Sequence, residues 1–141
     1  MSDLKQRIIE IICKPQLTSM ATITEDGKPW VRYVMSVGME DLIIRFASFV
    51  NARKVAQIQR NPEVHLTCGV TDLKVMKPYL QIQGKARLTT DKVEREAFWN
   101  DELKNIFKGP NDPDYGVIVV TPYRIELWTP GKFESEIWEA Q

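Results

Sequence analysis

The sequence predicts a mainly β fold of the α+β class: an antiparallel barrel of six to seven strands with about three helices at its mouth and flank. Three observations carry that expectation. Segments with period-two alternation or β-branched composition recur along the chain between turn signals. Most connections between them are shorter than the dozen or more residues a parallel crossover needs, so neighbouring strands run antiparallel. Six or seven strands within 141 residues close on themselves to hide their edges.

The elements follow in order. Leu4, Ile8, Ile11 and Ile12 form one apolar stripe on an N-terminal helix within residues 1–14, and Pro15 ends it. A Thr- and Ile-rich strand over 17–24, the Asp-Gly signal in 25–28 and a second strand over 30–37 make a hairpin. Residues 38–41 turn the chain into a third strand over 42–47, with Leu42, Ile44 and Phe46 on one face. A helix is predicted over 51–60, buried through Val55 and Ile58 and stopped by Asn61-Pro62. Half-buried strands are predicted over 63–68 and 79–88; in the second, Leu80, Ile82, Ala86 and Leu88 share a face with Gly84 between them. Thr90 and Asp91 cap a helical region running to Phe107, and 109–114 form a loop. Two last strands, 117–120 and 124–128, hinge at Thr121-Pro122. Residues 130–141 are a tail whose Phe133, Ile137 and Trp138 stand among charges, a pattern suited to docking on another surface.

With 43% apolar and 27% charged residues, the composition is that of one packed domain spanning 1–141. Nineteen Lys and Arg balance nineteen Asp and Glu, so no overall field favours nucleic acid or an anionic membrane, and any basic site must be local. The longest apolar run, 117–120, is far short of the roughly 20 residues of a spanning helix. The first dozen residues lack the apolar block of a secretory signal, so a cytoplasmic location is expected. His65 is the only histidine and Cys13 and Cys68 form no Cys-x-x-Cys pair, which argues against zinc, redox-dithiol and Ser-His-Asp or Cys-His chemistry. No metal site is expected. Both cysteines are read as buried free thiols, and His65 as a surface or interface residue.

The informative stretch is 46–54, which places Arg53 and Lys54 in the first turn of a helix. That end carries about half a positive charge, so cations there are unfavourable unless an anion offsets them. A phosphate fits, held by free N–H groups, the Ser48 hydroxyl and the two cations; the alternative is that both side chains simply enter water. Arg32 interrupts the second strand on the face of Trp30 and Val34 and needs a partner there, an anionic ligand or a structural carboxylate, unless it faces outward on the barrel. The same strand is apolar on both faces, with Val31, Tyr33 and Met35 opposite. A monomeric barrel strand needs only one such face, so a two-fold dimer or the helices must cover the other.

Pro29-x-x-Arg32, Phe46-Ala47-Ser48, Arg53-Lys54, Asn61-Pro62-x-Val64 and Gln83-Gly84-Lys85-Ala86, in that order and spacing, resemble the FMN-binding split barrel of the pyridoxamine 5'-phosphate oxidase-like proteins, in particular their general-stress-protein branch. The resemblance runs from about residue 17 to 128. It implies that Arg32, Ser48, Arg53 and Lys54 hold the FMN phosphate, with Ala47 beside Ser48 among the cofactor-binding positions. It also implies that the backbone of Val34 and Met35 borders the isoalloxazine ring, and that the flavin lies between the subunits of a homodimer. Two departures stand out. Tyr79 occupies the place of a flavin-contacting glutamine, and the arginine-rich C-terminal substrate motif is missing, replaced by an acidic end over 133–141. The expectation is an FMN-dependent oxidoreductase that passes hydride between a reduced donor and a small acceptor and does not oxidise vitamin B6. The alternatives are a flavin-storing or stress-sensing module without turnover, or the same barrel with deazaflavin or haem; His65 is poorly placed as a haem ligand. No side chain stands out as a catalytic acid.

Overall fold

The first hairpin follows from its turn chemistry. Strand β1 (Gln16–Ile23) and strand β2 (Pro29–Gly38) pair from Ile23 opposite Pro29 to Gln16 opposite Ser36. Thr24 donates its N–H to Lys28 and Gly27 closes the turn with φ +80, a conformation open to glycine without Cβ strain. In this computed structural model, which describes residues 3–70 and 72–141, the chain begins with helix α1 (Asp3–Ile12). After the hairpin come β3 (Ile44–Phe49), α2 (Arg53–Arg60), β4 (Glu63–Cys68), β5 (Tyr79–Thr89), α3 (Lys92–Phe98), β6 (Tyr115–Trp128) and β7 (Glu136–Glu139).

The sheet order is β3-β2-β1-β4-β5-β6-β7, and β3 also pairs with β6, so the first six strands close into an antiparallel barrel. Its interior is filled by Met20, Phe46, Leu66, Leu80, Ile82, Ile118 and Ile125, all at most 1% exposed. Ile8 and Ile12 of α1 and Val55 and Ile58 of α2 join that core from outside, which is why the apolar stripes of these helices point where they do. A second cluster, Leu103, Phe107, Tyr115, Val117 and Val119, lies on the other face of β6 beneath α3.

Five sequence expectations are corrected. The third strand starts at Ile44, not at residue 42: Leu42 adopts φ 71 in the turn, donates its N–H to Met39, and still buries its side chain to 1% exposure. The segments 117–120 and 124–128 are one strand. Gln83 pairs with Arg124 but Gly84 with Pro122, so Tyr123 is the extra residue of a bulge that tolerates the missing N–H of Pro122. A Cβ on Gly84 would lie 2.9 Å from the Thr121 carbonyl, so only glycine lets the strands approach there.

The helical region after Asp91 breaks at Trp99. Asp91 caps it as expected, but Asn100 accepts from the Glu102 N–H and starts a separate 3₁₀ turn over Asp101–Asn105. The tail docks on its own chain: β7 pairs with β6, Trp138 packs against the barrel core, and Glu136 accepts two hydrogen bonds from the Arg7 guanidinium at 2.8 and 2.6 Å. That pairing holds the Glu136 carboxyl below the usual carboxylate range. Cys13 is exposed because the α1 stripe has ended before it, whereas Cys68 is buried and desolvation pushes its thiol up to about 11. Among the described residues no helix is long and apolar enough to cross a membrane.

Candidate functional site

The alternation of β2 decides which residues can meet. Val34, Ser36 and Gly38 are buried and Arg32 is half-buried on that same inner side, while Val31, Tyr33 and Met35 face out. Arg32 stands opposite Met20 of β1 and reaches across the barrel end towards α2. Its guanidinium donates to the Met20 carbonyl at 3.1 Å and to Gln57 Oε1 at 3.0 Å, two neutral acceptors.

Helix α2 brings the other two cations. Ala52 precedes it and offers no side-chain cap; its carbonyl takes the Val55 N–H at 3.0 Å, and the N–H groups of Arg53 and Lys54 are left to an outside acceptor. Burial lowers the affinity of Lys54 for its proton, and the neighbouring charge of Arg32 lowers it further; Arg32 is depressed in the same way by burial and then by Arg53. The Arg53 guanidinium also lies 5.1 Å from the centre of the Trp30 ring. None of the three makes an ion pair with a described carboxylate. A partly desolvated cluster of like charges at a helix start is unfavourable by itself and is suited to a dianion.

The remaining predicted residues divide. Ser48 shares the inner face of β3 with Ile44 and Phe46 and is 5% exposed; its hydroxyl donates to the Phe49 carbonyl at 3.0 Å instead of meeting the cations. Ala47 points to the opposite face and packs, as do Phe98 and Trp99, against the second cluster. Val34 is inside and Met35 outside, so a ligand touching both must use their backbone. Gln57 and Thr22 were not legible as site residues. Gln57 is 7% exposed and Thr22 fully buried, and the Thr22 hydroxyl donates to the same Gln57 Oε1 that receives Arg32. The one available signal was position: Gln57 lies three residues after Lys54, on the same side of α2.

Outside the barrel, Leu17 faces Met35, Ser19 faces Tyr33 and Ala21 faces Val31 across β1 and β2, giving an exposed apolar surface. A shallow pocket of about 150 Å³ opens on it, lined by Leu17, Ser19, Tyr33, Thr67 and Tyr79 among others. His65 is exposed on β4, as expected. A larger hollow of about 510 Å³ lies apart from the cations, between α1 and the start of β5.

A family model described as pyridoxamine 5'-phosphate oxidase matches residues 4–129 of this chain. The chain belongs to the pyridoxamine 5'-phosphate oxidase family. The match spans the whole closed barrel and stops at the end of β6, so β7 lies beyond it. This family member is 27% identical over 130 residues to General stress protein 26 of Bacillus subtilis (strain 168), covering 92% of this chain and 91% of that protein. Its fold is similar to the crystal structure of General Stress Protein 26 from Bacillus anthracis str. Sterne, with a TM-score of 0.84, 26% identity, and coverage of 99% of this chain and 100% of that one. A protein of Clostridium acetobutylicum related to general stress protein 26 shares the fold at a TM-score of 0.76 and 19% identity, covering 96% of this chain and 92% of that one.

Proposed function

We propose that the 141 residues act as one FMN-binding unit, a cytoplasmic oxidoreductase of the general-stress-protein branch. The observation that carries this reading is the cluster of Arg32, Arg53 and Lys54, three cations that no described carboxylate pairs. They gather at the uncapped start of α2, as a phosphate monoester requires. Ser48 completes the phosphate end by turning its hydroxyl away from the Phe49 carbonyl. The backbone of Ala47, Val34 and Met35 borders the rest of the ligand. Bound FMN supplies hydride transfer at its N5 between a reduced nicotinamide or similar donor and a small acceptor.

The chain's own contribution is position and electrostatics. The exposed apolar surface of β1 and β2 is the seam of a homodimer and covers the flavin ring with a second copy. Residues 133–141 carry no Lys or Arg to receive the phosphate of a vitamer, and their Glu136 is already held by Arg7, so oxidation of pyridoxamine 5'-phosphate is not part of the proposed function.

Reconstitution with FMN followed by anaerobic mixing with NADH or NADPH tests the proposal. The expected result is retained flavin absorbance after gel filtration, bleaching by one donor, and no pyridoxal 5'-phosphate formed from pyridoxamine 5'-phosphate. A protein that retains no flavin, or steady pyridoxal 5'-phosphate production, contradicts it. Flavin that is retained but resists every donor leaves binding intact and replaces turnover with storage or sensing.

A further inference from the structure

We infer that Gln57 is a positioning residue: its neutral amide aims the Arg32 guanidinium at the phosphate without neutralising it. The inference rests on the reading that Arg32 receives a phosphate. The amide oxygen of Gln57 faces two donors, Arg32 Nη2 at 3.0 Å and the Thr22 hydroxyl, which fixes which end of the amide points at Arg32. Thr22 is fully buried and Gln57 is 7% exposed, so neither side chain can swing into solvent.

A carbonyl of β1 takes the other side of the guanidinium, from Met20 at 3.1 Å. Two neutral acceptors therefore fix the direction of Arg32, and its charge remains available to a ligand. A carboxylate at position 57 would orient Arg32 equally well. It would also form a partly buried ion pair at about the same distance and compete directly with phosphate oxygens. Glutamine separates orientation from neutralisation, and helix α2 places it one turn beyond Lys54 so that both cations are set from one element.

The test is calorimetric titration of FMN and riboflavin into the full-length wild-type, Gln57→Glu and Thr22→Val proteins, with melting temperature measured on each. Gln57→Glu is nearly isosteric and is expected to melt no lower than wild type, yet to lose about tenfold or more in FMN affinity. Its riboflavin affinity should change less than about twofold. Thr22→Val, which frees the amide without adding charge, is expected to reduce FMN affinity by a smaller factor of about threefold, again sparing riboflavin. Retention of the full FMN preference in Gln57→Glu overturns the inference, as does an equal loss for both ligands, which is the mark of a purely structural role. Should Gln57→Glu fail to fold, unchanged FMN preference in Thr22→Val overturns it alone. A wild-type protein that binds FMN and riboflavin equally would overturn the phosphate reading itself, a result distinguishable from the others because it precedes any variant.

Discussion

Lys54→Ala is expected to weaken FMN binding roughly 10- to 150-fold and to leave riboflavin unchanged, because a charge-assisted hydrogen bond contributes about 1.5 to 3 kcal/mol. Lys54 is the cleanest probe of the cluster, since no hydrogen bond or ion pair to a described residue depends on it; its recorded electrostatic neighbour is Arg32, of the same sign. Arg32→Ala should produce a loss in the same range. It also takes a donor from the Met20 carbonyl and one of the two donors, the other being Thr22, from Gln57 Oε1, so its effect on stability must be measured alongside. Arg53→Ala is expected to lie at the lower end, because part of what Arg53 does is stack on Trp30. Calorimetry with both ligands decides the matter: a fall in riboflavin affinity as large as the fall in FMN affinity means that the cations support the fold and not a phosphate.

Val31→Asp is expected to convert the proposed dimer to monomers and release the flavin. Val31 is 64% exposed and its neighbour Tyr33 74%, so within the chain the substitution disturbs little beyond the contact with Ala21. A two-fold seam carries the substitution twice, and unpaired carboxylates buried on an apolar seam cost several kcal/mol, which weakens association by more than about 100-fold. Light scattering with flavin absorbance recorded on the same column should show loss of dimer and loss of bound FMN together. A monomer that holds FMN at full affinity contradicts the placement of the site at the seam, and an undisturbed dimer contradicts the seam itself.

Much of the fold was legible because its elements obey local rules. The α1 stripe, the Asp-Gly turn, the Val55 and Ile58 contacts of α2 and the alternation of β4 and β5 each follow from period and turn chemistry, and each stands in the structure. The errors occurred where tertiary contacts override those rules. Leu42 accepts a left-handed turn because the core takes its side chain. Pro122 reads as a break in sequence, yet a bulge opposite Gly84 absorbs it within one long strand. The tail's apolar groups were legible as seeking a surface, but nothing local says that the surface is β6 of the same chain. In the candidate site the charged members announce themselves as charges in unusual places. Gln57 does not, because a buried glutamine matters only through the distant residues it touches, Thr22 on β1 and Arg32 on β2.

The central claim is that Arg32, Arg53 and Lys54 form a phosphate site, and titration of the wild-type protein with FMN and with riboflavin tests it most directly, since the ligands differ only in that group. The account predicts that FMN binds at least about tenfold more tightly, with the difference shrinking as salt is raised. Equal affinities for the two flavins would contradict it.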